Sequence, residues 1–207
     1  MTKKERKRIK KTKLYNKKLC KKYPFIIPRS AWTGKIPDDY DYSYTEYYFG
    51  KGWEIGFGKF WLEDLRKACI ETNYLDKLYF VQVKEKYASL RAYPNAAPQQ
   101  VYDVLNKYEY ISQYICYQCG SPEASVVNDY GWYLPMCKKC WDKFNLKREK
   151  KGYKVISYKE AGGEDNPKLP NSYSYSVYSN GEDKTVEVDV SDITDRINQA
   201  YKKRIHN

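Results

Sequence analysis

Between residues 59 and 73 (KFWLEDLRKACIETN) apolar positions recur every three or four residues. Trp61, Leu62, Leu65, Cys69 and Thr72 form one stripe and Asn73 supplies a stop, so the pattern predicts a helix. A second stripe of period 3.6 (Val101, Val104, Leu105, Tyr108, Ile111, Ile115) follows Pro98, a residue suited to a first helical turn, and predicts a helix that runs into Cys116. Between these helices, residues 77–93 alternate in the manner of a β-hairpin. Two further alternating runs, 173–178 and 185–190, flank Asn180-Gly181, a strong hairpin-turn pair, and Ser191 or Asp192 is placed to cap a last helix carrying Ile193, Ile197 and Tyr201. Near the start, Tyr15, Leu19 and Tyr23 are spaced for a short helix docked on the body, while the first dozen residues read as disordered when free. Pro24 and Pro28 predict an extended apolar segment, and the glycines at 50, 52, 56 and 58 read as turns. The Tyr- and acid-rich residues before them suit a strand or an aromatic recognition loop.

Four cysteines stand apart from this patterning. Cys116 and Cys119 form one C-x2-C pair, Cys137 and Cys140 another, with 17 residues between the pairs. Each pair brackets a tight turn that lets two sulfurs converge, and the spacing is that of a structural zinc site. Four thiolates complete a tetrahedral Zn2+ shell and leave no position for water or substrate, so the site holds structure and performs no chemistry. The competing reading is a redox or disulfide role. A redox pair is ordinarily single and set in a strand-helix-strand pattern, which this is not. The segment between the pairs, with Pro122 and the Asn128-Asp129-Tyr130-Gly131 turn, predicts a ribbon of two short hairpins.

Charge changes the picture once it is localised. The chain of 207 residues carries a net +12, and its first 22 residues hold 12 Lys or Arg against the single acid Glu5. The remaining residues are close to neutral, so the chain reads as a basic arm on a balanced body. Lys3, Lys4, Arg6, Lys7, Arg8, Lys10 and Lys11 are the arm's candidate phosphate contacts, and such arms serve either nucleic-acid binding or solubility. A second cluster lies beside the second cysteine pair and includes Lys138, Lys139, Lys147 and Arg148. It suits phosphate contact, though a solvated helix end has the same composition.

Several chemistries are excluded or disfavoured. The one histidine is His206, the penultimate residue, which disfavours Ser-His, Cys-His and zinc-His mechanisms. No phosphate-cradling glycine motif is present. Gln82-Val83-Lys84 with Asp76 only partly resembles a metal-dependent nuclease site, because glutamine offers a neutral ligand. No apolar run approaches the ~20 residues that cross a bilayer, and the charged N-terminus lacks the apolar segment of a secretory signal. With only Cys20 and Cys69 outside the pairs, a secreted disulfide framework is disfavoured and a reducing cytoplasm is expected.

Gly52-Trp53, Phe57-Gly58, Gln82-Val83-Lys84-Glu85-Lys86-Tyr87, Leu90-Arg91, Tyr93, the four cysteines and Gly131-Trp132 together resemble a group of uncharacterised proteins encoded by phages and prophages of gut bacteria. Tyr23-Pro24-Phe25, Ile27-Pro28-Arg29 and Pro37-Asp38-Asp39-Tyr40-Asp41 are similar too, and the likeness covers roughly residues 20–142. It implies a phage or mobile-element origin and a zinc site and brings no established activity; the expected setting is the cytoplasm of a bacterial host cell. Ala88-Ser89 stands where that group usually carries a glycine, which predicts a different hairpin turn.

The expected architecture is an α+β fold with a small antiparallel sheet, packed helices and an integrated four-cysteine zinc ribbon. Its expected divisions are a basic arm (1–22), an α+β body (23–115), the ribbon (116–144) and a C-terminal hairpin and helix (145–207). The expected function is non-enzymatic binding of nucleic acid through phosphate contacts, with little base readout. The alternative partner is a host or viral protein held by a Tyr- and Trp-rich surface, as an inhibitor of a host defence or as a virion component. Neither a membrane nor a small-molecule substrate is expected.

Overall fold

The computed structural model describes residues 1–47, 49–179 and 182–206, with Ser179 by its backbone. Its helices are α1 (Lys3–Lys22), the short α2 (Lys51–Trp53), α3 (Lys59–Glu71), α4 (Gln99–Ser112), α5 (Lys138–Glu149) and α6 (Ser191–Ile205). Its strands form three separate two-stranded antiparallel sheets: β1 (Phe80–Lys86) with β2 (Ser89–Pro94), β3 (Ser125–Asp129) with β4 (Trp132–Met136), and β5 (Ser172–Ser179) with β6 (Glu182–Asp189). The fold is α+β, with sheet content divided among hairpins. The Asn180-Gly181 turn pair lies outside the described residues.

The chain divides into two compact units. One comprises Met1–Phe49, Trp61–Lys84 and Arg91–Leu105, and the other Gly50–Phe60, Glu85–Leu90 and Asn106–Asn207. The first is organised around aromatic side chains. Trp61 stacks on Phe80 at 5.4 Å and meets Phe49 edge-on, and Phe80 receives the edge of Phe25. Such pairs add about 0.5–1.5 kcal/mol each beyond the area they bury. Pro24–Ile26 forms a single 3-10 turn in place of the expected extended segment. Proline's fixed φ suits a first helical position, and the turn allows Phe25 and Ile26 both to be fully buried.

Helix α1 also exceeds expectation, because it is helical from Lys3 onward. Thr2 and Glu5 form a reciprocal capping box, and lysines 21 and 22 oppose the negative end of the helix dipole. Only its second half is docked. Asn16 and Cys20 are buried, one residue round from the Tyr15–Leu19 stripe, because Asn16 donates to the Tyr42 carbonyl at 2.8 Å and Tyr23 donates to Glu63 at 2.7 Å. Helix α3 ends as expected at Asn73. This residue is left-handed (φ 52°), while the Tyr74 amide donates to the Cys69 carbonyl at 2.7 Å, a Schellman closure. Cys69 is fully buried, and that burial pushes its thiol up to about 11, which fits packing and not nucleophilic chemistry.

In the second unit α4 stops at Ser112, three residues before the expected Ile115. The Ser112 hydroxyl donates to the Glu109 carbonyl and accepts from the Leu90 amide, and tight turns then carry the chain to Cys116. Helix α6 begins at Ser191, but neither Ser191 nor Asp192 is its cap. The Asp189 carboxylate accepts from the Ser191 amide at 2.8 Å, and that bond lowers its pKa. Ile193 and Ile197 are buried as the four-residue spacing predicts.

Candidate metal centre

The first pair sits on a backbone loop. The Gly120 amide donates to the Cys116 carbonyl and the Cys116 amide to the Ser121 carbonyl, both at 2.8 Å. Gly120 takes φ +70°, which a side chain would oppose. The second pair opens α5. Cys137 is the N-cap, and its carbonyl accepts from the Cys140 and Trp141 amides at 3.0 Å. The positive end of the helix dipole therefore faces the thiols, where it favours thiolates.

These elements bring all four Sγ atoms within 4.8 Å of one another. None of the six cysteines is in a disulfide. The Cys119–Cys137 separation is 3.7 Å, far beyond an S–S bond and close to the edge, about 3.8 Å, of a tetrahedron with Zn–S bonds of about 2.3 Å. The four residues fit one metal ion. Without a cation they interfere with one another electrostatically. Hydrogen bonds from Cys116 and Cys137 hold the Cys119 thiol far below the ordinary range, hydrogen bonds with Cys116 and then Cys119 push Cys137 far up, and burial pushes Cys140 up to about 12. Four thiolates share the space only when a cation offsets their charge.

The centre has its own core: Ala124, Val127, Met136, Trp141, Tyr158 and Ala161 are buried around Cys116 and Cys137. A single hairpin, β3–β4, replaces the expected two, turning through Tyr130 and Gly131 at positive φ. Tyr158 closes it by donating to the Met136 carbonyl at 2.8 Å and accepting from the Ser125 amide at 3.3 Å. Trp141 donates to the Ile156 carbonyl at 3.1 Å. The core thus draws on residues well beyond 144.

The expected turns at the glycines are instead a helical face pressed on the first cysteine loop. Lys51–Trp53 continues through a π-helical segment, Glu54–Gly58, into α3. A Cβ on Gly52 would lie 2.2 Å from the Cys116 carbonyl oxygen, and one on Gly56 would lie 2.6 Å from Ile115. Absence of a side chain at both positions lets two backbones meet, and the Gly52 amide donates to the Tyr117 carbonyl at 3.0 Å. Trp53 donates from its indole to the buried Ile115 carbonyl at 2.9 Å and meets the Tyr117 ring edge-on. Arg204 of α6 completes the collar by donating to the Gly120 carbonyl at 2.9 Å. The i, i+4 pairs Gly52/Gly56 and Trp53/Phe57 carried the helical signal; nothing near Arg204 in sequence marked its role.

The basic positions separate into two kinds. Lys3, Lys4, Arg6, Lys7, Arg8, Lys10 and Lys11 are all exposed on the first turns of α1 and have no ion-pair partner among the described residues. Lys139 and Lys147 are likewise exposed on α5, whereas Lys138 pairs with Asp142 at 2.7 Å. Arg148 pairs with Asp129 at 2.5 Å and lies within 6.0 Å of the Tyr130, Phe144 and Tyr153 rings. Gln82 and Asp76 are exposed, and Lys84 lies over the Tyr93 ring at 5.6 Å. Among the described residues, the four cysteines are the one cluster of potential metal ligands, and no helix is long and apolar enough to cross a membrane. Comparison with family models, with curated proteins and with solved structures finds no match to this chain.

Proposed function

We propose that this protein is a non-enzymatic zinc-ribbon protein that binds nucleic acid, and that its ribbon holds one structural Zn2+. Zinc is the metal that a closed set of four thiolates at tetrahedral spacing suits best. The binding reading rests on α1, whose seven N-terminal cations are exposed and unpaired, on a helix that presents them along its length. Phosphates are the partner such a row fits, because each neutralised phosphate releases a counterion. A mobile-element origin and a bacterial cytoplasmic setting belong to the same proposal and are supported by the resemblance in residues 20–142.

Deletion of residues 1–13 tests this reading. Affinity for DNA or RNA at low salt is expected to fall at least about tenfold, and the slope of log affinity against log salt to flatten by several units. Unchanged affinity and slope would overturn it. Metal analysis of the purified chain is expected to find one zinc per molecule.

A second reading, a host or viral protein as partner, has an observation of its own. One face of the β5–β6 hairpin carries Tyr175, Val177 and Val186, each more than a third exposed. Retention of a specific protein from nuclease-treated lysate, lost when these three are replaced by Ser, would favour it.

A further inference from the structure

From the C-terminal end of α5 we infer a stacking pocket for one unpaired base of single-stranded nucleic acid, an inference that rests on the nucleic-acid reading above and names its substrate class. The pocket has a volume of about 370 Å³ and is lined by Phe144, Lys147, Arg148, Lys151 and Tyr153. Its size falls in the lower range of small-ligand sites.

The parts are held in place. Helix α5 closes with a Schellman motif: Gly152 takes φ +77°, its amide donates to the Glu149 carbonyl, and the Tyr153 amide donates to the Arg148 carbonyl at 3.1 Å. This reversal returns Tyr153 toward Arg148, yet leaves it 61% exposed. Phe144, one turn before Arg148 on α5, is 37% exposed. Phe144, Tyr153 and Tyr130 therefore gather round a guanidinium, one amino group of which donates to Asp129. What the cluster offers a ligand is the exposed flat face of Tyr153 beside a cation, and such faces recognise bases by stacking.

Phosphate contact falls to the rim. Lys147 and Lys151 are exposed and have no carboxylate partner among the described residues. The C-terminal end of a helix carries the negative end of its dipole and does not attract anions, so these two lysines supply the attraction. Rings inside and cations outside match a nucleotide whose base is free of its partner strand. A duplex keeps its bases stacked and paired, and a carboxylate side chain has no aromatic face to lay on an exposed ring.

The test uses the full metal-loaded chain and three labelled probes of equal length: oligothymidylate, an abasic sugar-phosphate strand, and a duplex. Oligothymidylate is expected to bind about tenfold more tightly than the abasic strand, and Tyr153→Ala to abolish that difference while leaving duplex affinity unchanged. The double variant Lys147→Gln, Lys151→Gln is expected to weaken both single strands by the same factor and keep their ratio. Equal binding of abasic and base-bearing strands, or a ratio that survives Y153A, would overturn the pocket while leaving the arm-based reading intact. Absence of binding to all three probes would overturn both. Displacement of oligothymidylate by polyglutamate, lost in Y153A, would reassign the pocket to acidic peptides.

Discussion

Two hairpins in the same unit share an architecture and differ in nearly everything that stabilises one. In β3–β4 the inward face, with Ser125, Val127 and Met136, is buried beneath Trp141 and Tyr158, and the chain on both sides of it leads to cysteine pairs. In β5–β6 the strands are longer, eight residues each, and the ladder runs from Ser172↔Asp189 to Ser179↔Glu182, yet most of both faces lies open. Its firm attachment is at the base, where Tyr173 stacks on Tyr110 at 4.4 Å and the Val190 amide donates to the Asn171 carbonyl. A two-stranded ribbon is marginal in water by itself. Hydrogen-bonded length therefore does not rank these hairpins; cover does.

The strongest way to break the comparison is to remove the ion that the four thiols are proposed to hold. A strong chelator, or Cys137→Ser, is expected to unfold β3–β4 with the start of α5, because binding of a structural zinc is worth on the order of 10 kcal/mol to such a unit. Hydrogen exchange should then report protection lost across residues 116–163. If β3–β4 kept its protection without metal, its own core and not the thiol cluster would be the cause of its order.

Next in size is Gly52→Ala. The added Cβ meets the Cys116 carbonyl, which is backbone and cannot rotate away. A loss of about 2–3 kcal/mol is expected, together with faster transfer of the metal to a chelator, since the first cysteine loop must shift. An alanine accepted without loss would mean that the helical face is not pressed on the loop.

The same substitution can then be made once in each hairpin. Val127 is fully buried and Val186 is 36% exposed. Val127→Thr buries a hydroxyl without an evident partner and is expected to cost about 1–3 kcal/mol, while Val186→Thr should stay within about 0.5 kcal/mol. Equal costs in urea denaturation would mean that β5–β6 is covered by a surface of another molecule.

What the residues disclosed in advance follows the same division. The metal centre was legible because C-x2-C spacing is a local constraint: two residues between thiols bring the sulfurs together whatever the surroundings. Helices with a single apolar stripe, such as α3, were legible for a similar reason. The collar was not, because glycine marks a turn and a close backbone approach alike, and only Cys116 and Gly120, more than fifty residues away, decide between them. The reach of α1 was in fact written in Thr2 and Glu5, but the repulsion expected of a lysine run outweighed a two-residue cap. The alternation of β5 predicted a strand correctly and carried no information on whether its apolar face would be covered.

The smallest expected effect concerns turn geometry, the remaining difference that could separate one hairpin from another. The β1–β2 turn places Tyr87 at φ 51° and Ala88 at φ 67°, the type I′ arrangement that ordinarily selects Asn and Gly. Neither residue suits it. Ala88 is fully buried, and its amide donates to the Glu85 carboxylate at 2.7 Å, so contacts hold the turn against its own preference. Tyr87 is exposed, and among the described residues Lys86 lies over its ring, a surface contact of modest worth. Asparagine tolerates the left-handed region far better than tyrosine. Tyr87→Asn is therefore expected to stabilise the protein by about 0.5–1 kcal/mol, seen as a rise of roughly 1–4 °C in Tm. A fall in Tm would show that the Tyr87 ring contributes more through its contacts than its backbone costs, and would make cover, once again, the quantity that decides whether a two-stranded sheet stands.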